Sequence, residues 1–235
     1  MTAAILFFVL TLDPPEGQAR QSNNLTTAPA VAYSAPGSRH PVSIPRETLS
    51  GRLEAENGFV WCYGYDIGFN GKNLVVQVKV NLVPAGGVTV PMLRQVTPVW
   101  EEGIEGIWGH RFALETPAGR RYPIVIDVSF RGPSFHHDLI VRSGAGGTDA
   151  LNWNIQDSPA LVAHEFGHLI GQFDEYVKGA QAPNAAMVDP GSIMASNPGV
   201  NAKSRARHFE PFRKWFMGKT KTDNVRIIHE KGIHE

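Results

Sequence analysis

The sequence predicts an α+β domain, and three observations lead there. Val-rich segments of partly alternating hydrophobicity give strands in the first half. One capped apolar stripe among them gives a helix, and a second helix is followed by a loop-rich tail. Strands and helices are thus largely segregated along the chain, which is the α+β pattern. Residues 51–235 make up the predicted domain, with an apolar segment and a flexible arm, 1–50, in front of it.

Residues 2–12 (TAAILFFVLTL) are the longest apolar run. A helix needs about 20 residues to span a bilayer, so stable membrane insertion is not expected. The run has the length of a signal-peptide core, but no Lys or Arg precedes it. Residues 13–50 are rich in Pro, Ser, Thr, Asn and Gly without a sustained period, which reads as a linker, prosegment or surface arm. Order is expected from near Phe59. In 73–83 (NLVVQVKVNLV), Gln77, Lys79 and Asn81 alternate with Val76, Val78, Val80 and Leu82, the pattern of a half-buried strand. Thr89 then caps a helix with Pro91 in its first turn and an apolar stripe through Leu93, Val96, Trp100, Ile104 and Trp108. Pro98 is expected to kink or divide it. Residues 111–114, 122–130 and 137–142 read as three more strands. A helix over 159–170 is capped by Ser158 or Asp157 and stopped by Gly171. Residues 172–205 are irregular, and a last helix starts near Pro211 with Phe212, Trp215 and Phe216 at core-facing spacings.

The chain has 235 residues, 42% of them hydrophobic, with 22 basic and 22 acidic side chains. That length and apolar content support a sizeable core. The charge balance gives no global reason to expect nucleic acid or an anionic membrane as partner. A lone cysteine, Cys62, excludes an intramolecular disulfide, and its aromatic surroundings suggest a small buried hydrophobe.

Chemistry concentrates in 164–174 (HEFGHLIGQFD). Helical residues four apart differ by about 40° around the axis and about 6 Å along it, so His164 and His168 project side by side and can share one Zn²⁺. Glu165 falls beside such an ion and can take a proton from its bound water, acting as the catalytic base. Gly171 lets the chain adopt a left-handed turn and double back, which brings Asp174 within reach as a third ligand. Glu175 and the more distant Glu210 are alternative carboxylate ligands. Tyr176 and His208 are candidates for the site rim or for stabilising an oxyanion. His136 and His137 alternate in direction, so at most one of them faces the cleft. The Lys and Arg residues of 203–226 interleave with aromatics, as expected of a helix with one buried and one solvated face.

These residues resemble the extended HExxHxxGxx(H/D) signature of the metzincin zinc peptidases, in the snapalysin-like variant with Asp as third ligand. Residues 192–196 (SIMAS), 20 residues beyond Asp174 at Met194, have the look of the family's methionine turn. The likeness covers about 73–218, with its specific part in 164–196. It implies a metzincin-like zincin domain with a twisted mixed sheet, in which His164, His168 and Asp174 hold Zn²⁺. Glu165 is then the general base and Met194 an apolar floor beneath the ligands. A peptide substrate would lie extended along the edge strand 137–142. No Tyr follows the methionine turn, and Cys62 does not resemble a matrixin cysteine switch. The implied activity is zinc-dependent endopeptidase, exported or delivered by a dedicated apparatus. The alternative is a catalytically silent or narrow-specificity, toxin-like effector on the same fold.

Overall fold

The computed structural model describes residues 43–199 and 201–230. The apolar segment and the arm up to residue 42 lie outside the described residues.

The fold is α+β. Its strands are β1 (Ile44–Glu54), β2 (Val60–Phe69), β3 (Leu74–Pro84), β4 (Phe112–Glu115), β5 (Arg121–Ser129), β6 (His137–Arg142), β7 (Asn152–Asn154) and β8 (Arg226–His229). Its helices are α1 (Val90–Trp108), α2 (Pro159–Leu169) and α3 (Glu210–Thr220), the last preceded by a 3-10 turn over Ala206–Phe209. The strands form one mixed sheet in the order β1-β2-β3-β5-β4-β8, with β6 and β7 added beside β3. The first half of β3 pairs antiparallel with β2 at Asp66–Phe69. β5 runs parallel to β3 from Leu74 to Lys79, and β6 takes over from Val80 to Pro84. A central strand paired this way is buried on one face along its length, and Val76, Val78 and Val80 are fully enclosed.

The predicted helices form where expected, for the expected reasons. Thr89 Oγ1 accepts the Met92 N–H at the start of α1, and Ser158 Oγ accepts the Leu161 N–H at the start of α2. α1 is not divided at Pro98: the helix continues through it to Trp108. Packing on the sheet holds this helix together. Trp100, Ile104 and Trp108 sit in one core cluster with Val162, Phe166 and Leu169 of α2 and Phe212 and Phe216 of α3. Burying side chains of this size contributes about 1.5–3 kcal/mol each. Two indoles also fasten α1 to the α2 segment, Trp108 Nε1 donating to Ala163 O at 2.8 Å and Trp100 Nε1 to Asp157 O at 3.2 Å.

Three expectations are corrected. Order begins well before Phe59, because β1 occupies the end of the stretch read as an arm and pairs antiparallel with β2 from Glu47↔Ile67 to Glu54↔Val60. The strand at 137–142 is not a free edge: β7 pairs with Ile140, Val141 and Arg142, and β3 lies along its other side. Cys62 is exposed, because on β2 it points opposite to the buried Trp61. The basic residues near the C-terminus do pair structurally, Arg213 with Glu210, Lys219 with Glu47 and Arg226 with Glu115. Among the described residues, no helix is long and apolar enough to cross a membrane.

Candidate metal centre

α2 carries two candidate ligands on one face, and the turn behind it supplies the third. Gly171 has φ +90°, its N–H donates to His168 O at 3.0 Å, and the Gln172 N–H donates to Gly167 O at 2.9 Å. This is the paired-bond helix end that a left-handed glycine permits. The reversed chain then brings Asp174 back to the helix. Asp174 Oδ1 lies 3.1 Å from His164 Nε2 and 3.4 Å from His168 Nε2. One ligand atom from each of the three lies within 4.8 Å of the others, and all three residues are buried.

The hydrogen bonds behind the ligands fix which ring atoms face the centre. His164 Nδ1 donates to Ile193 O and His168 Nδ1 donates to Gln172 O, both at 2.9 Å. A neutral imidazole with its proton on Nδ1 presents a bare lone pair at Nε2. Both lone pairs therefore point at Asp174 Oδ1, which is itself buried without a hydrogen-bond partner. Asp174 Oδ2 is satisfied separately by the Ala180 N–H at 2.6 Å. Three acceptors converging on one point are repulsive unless a cation lies among them. Two imidazole nitrogens and one carboxylate oxygen make a donor set that Zn²⁺ takes, so the three residues could hold that ion.

Glu165 stands next to the ligands, its Oε2 3.9 Å from His168 Nε2. Burial, opposed by His164 and reinforced by the charges of Asp174 and Asp149, pushes its carboxyl up to about 7. A carboxyl in that range exchanges protons near neutrality, as a general base and acid must. Tyr176 lines the same cleft with its ring 6.3 Å from that of His164. Burial, with the Asp174 and Glu165 charges adding, pushes its phenol up to about 12, so it stays a hydrogen-bond donor. Met194 is fully buried beneath the helix. A Cβ on Gly167 would come within 2.4 Å of its sulfur, so glycine is what allows this close approach.

Other candidates lie elsewhere. His208 is not at the rim: it is buried, packs on Trp108 at 5.4 Å, accepts the Arg205 N–H and faces Glu175 at 3.1 Å. Glu175 is not a ligand, because its carboxylate is held by Arg207 at 2.7 and 2.6 Å and by His208. Its backbone N–H instead donates to Met194 O at 2.8 Å, tying the loop that carries Asp174 to the turn at Met194. Glu210 is spent on Arg213. His136 pairs with Asp66 at 3.1 Å and His137 with Gly64 O at 2.8 Å, and neither lines the cleft.

The cleft itself, about 220 Å³, opens between α2, the loop at 148–150 and the segment 176–180. Asn57 and Phe59 of the β1–β2 turn also line it, which the sequence reading missed. Trp61, one residue pair further along β2, is buried; its Nε1 donates to His168 O at 3.0 Å and its ring meets that of His168 edge-on at 5.3 Å. The readable signal was the alternation of Trp61, Tyr63, Tyr65, Ile67 and Phe69. No protein-family model matches the chain, and neither a curated protein nor a solved structure matches it.

Proposed function

We propose that the chain is a zinc-dependent endopeptidase of metzincin type. The observation carrying this reading is the convergence of His164 Nε2, His168 Nε2 and the partnerless Asp174 Oδ1 in an open cleft, with Glu165 alongside. His164, His168 and Asp174 would hold the zinc. When bound, zinc supplies a Lewis acid for a peptide carbonyl and makes water acidic enough to be a nucleophile near neutral pH.

The chain's own residues do the rest. Glu165 takes a proton from the attacking water and returns it to the departing amine, a role its place beside the three residues in the cleft allows. The backbone carbonyls of Ile193 and Gln172 keep both imidazoles in the ligating tautomer. Tyr176, in the cleft lining, is the candidate donor to the carbonyl oxygen as charge develops there. Because β7 covers β6, the substrate backbone runs past the 148–150 loop, which forms that rim of the cleft.

The test is casein hydrolysis by zinc-loaded protein beside Glu165→Ala, with bound zinc quantified in both. Loss of cleavage in the variant with zinc retained supports the assignment. Equal activity in both removes Glu165 from the chemistry. No cleavage by zinc-loaded protein on casein or on a diverse peptide pool counts against peptidase activity.

A further inference from the structure

Tyr176, Lys178, Gly179 and Ala180 of the cleft lining all come from the loop 176–188, which begins after Glu175 and ends before Asp189. The two ends of this loop meet: the Asp189 N–H donates to Glu175 O at 3.1 Å. Both residues at this neck are acidic, and both carboxylates are gripped from another part of the chain. Arg207 donates from Nε to Glu175 Oε1 at 2.7 Å and from Nη2 to Glu175 Oε2 at 2.6 Å, and the same Nη2 reaches Asp189 Oδ2 at 2.7 Å. Arg205 holds Asp189 as well, Nε to Oδ2 at 2.9 Å and Nη2 to Oδ1 at 3.1 Å. One guanidinium, that of Arg207, thus bridges the two carboxylates.

The segment that carries these arginines is fixed to the core. They lie in and beside the 3-10 turn Ala206–Phe209, whose Phe209 is fully buried against Phe112 at 4.9 Å and whose His208 packs on Trp108 at 5.4 Å. His208 Nε2 faces Glu175 Oε1 at 3.1 Å, and Gln172 Nε2 donates to His208 O at 3.0 Å. Just before the turn, the Ile193 N–H donates to Lys203 O at 2.9 Å and the Lys203 N–H to Gly191 O at 3.2 Å. Along the chain Asp174 lies between Gln172 and Glu175, and both are held by the turn that precedes α3.

We infer that Arg207 is a positioning residue for the metal centre: by clamping Glu175 and Asp189 it closes the neck of the loop and keeps Asp174 beside His164 and His168. The inference rests on the metal reading of the site and not on peptidase activity. The Glu175 side chain is only 9% exposed, and two carboxylates at one neck repel each other when no cation lies between them. Taking one partner from a buried pair leaves a charge that water reaches only if the structure opens. Opening here spreads the neck. Asp174 moves with it, because its N–H donates to Ala180 O at 2.9 Å and its Oδ2 accepts the Ala180 N–H at 2.6 Å, both inside the loop. A lysine in place of Arg207 keeps the positive charge but lacks the planar fork that bonds both Glu175 oxygens.

The experiment compares the full-length wild type with Arg207→Gln, Arg207→Lys and Asp66→Asn. Zinc affinity is read by competition with a chelating indicator, the ligand set by the visible bands of the cobalt(II)-loaded protein, and stability by melting of the zinc-free form. Asp66→Asn is the stability control, because the partners of Asp66, namely Thr48, Lys79 and His136, lie outside the cleft lining. Arg207→Gln is expected to bind zinc about 10- to 100-fold more weakly than wild type, the usual result of losing outer support, and to shift the cobalt bands. Arg207→Lys should fall between the two. Asp66→Asn should keep the wild-type affinity and bands while melting at a lower temperature. Affinity and bands unchanged in Arg207→Gln, or altered as much in Asp66→Asn, overturn the inference. If Arg207→Gln does not fold, Arg207→Lys decides: wild-type affinity overturns the inference, and weaker affinity with shifted bands supports it. A wild type that binds neither ion removes the metal reading and this inference with it, whereas wild-type binding that is indifferent to Arg207 removes the inference alone.

Discussion

Gly171→Ala tests how the chain is turned back onto its own helix. With φ at +90°, Gly171 occupies backbone space that residues bearing a Cβ avoid. A methyl built there meets the Tyr63 ring at 3.5 Å, an ordinary contact, so the cost is conformational and not steric crowding by neighbours. Forcing an L-residue into left-handed backbone costs about 1–2 kcal/mol, more than the entropy that alanine removes from the unfolded chain. In a chain of this size each kcal/mol lowers the melting temperature by about 2–4 °C, so a fall of about 2–8 °C is expected.

The same turn has a second readout. It places Gln172 O to accept from His168 Nδ1 and delivers Asp174 to the ligand set. Relaxation of φ disturbs both, and losing such outer support typically lowers metal affinity about 10- to 100-fold. Gly171→Asn should fall between the two, because Asn tolerates the left-handed region better than Ala. Melting of the zinc-free protein and competition for zinc with a chelating indicator measure the two effects independently. If Ala matches Gly in both, or Asn is no better than Ala, the left-handed turn is not what assembles the site.

Three further predictions probe the supports of the fold and site. Gly167→Ala should destabilise by about 1–3 kcal/mol through overpacking against Met194 and Trp108, and by less when Met194 is first cut to Ala, which leaves only the Trp108 contact; additive effects of the two changes would refute the contact with Met194. Trp61→Phe removes the donor to His168 O and should cost about 1 kcal/mol and weaken zinc binding; unchanged affinity by indicator competition would show that Trp61 does not anchor the ligand helix. Burial pushes the Asp66 carboxyl up, but hydrogen bonds from Lys79, Thr48 and His136 outweigh it and depress its pKa below the ordinary value of about 3.9. Its contribution is therefore complete above about pH 4 and lost as pH falls through the lower folded value, so wild type should exceed Asp66→Asn by about 1–2 kcal/mol at pH 7, with the gap closing towards pH 2. A gap independent of pH in denaturant titrations would contradict the pairing.

The parts of the molecule legible in its sequence are those whose geometry is local. His164 and His168 are placed by helical spacing, the helix by Ser158 and Gly171, and Asp174 by a turn only a few residues long. None of this requires knowing what the helix packs against. β1 was not legible because its own pattern is thin: Ile44, Leu49 and Leu53 are only half-buried, Pro45 interrupts, and the strand exists through its pairing with β2. β7 and β8, of three and four residues, likewise depend on distant partners. β2 carries a clear alternation through Trp61, Tyr63, Tyr65, Ile67 and Phe69, and Gly68 within it is a position of close approach, where a Cβ would lie 2.7 Å from Arg46.

This division has a consequence for the site. His164, His168 and Asp174 are set by one helix and one turn, whereas the β1–β2 side of the cleft is set by register. Trp61 faces Leu53 and Val60 faces Glu54 across the hairpin. A slip of one residue in β2 would exchange the two faces, putting exposed Cys62 under His168 and Trp61 in solvent. The hydrogen bond to His168 O and the packed face of Phe59 would be lost together, while His164, His168 and Asp174 kept their mutual spacing. The mutual spacing of His164, His168 and Asp174 and the packing around them therefore rest on separable interactions, and changes in the β1–β2 hairpin reach the three residues only through Trp61 and its bond to His168 O.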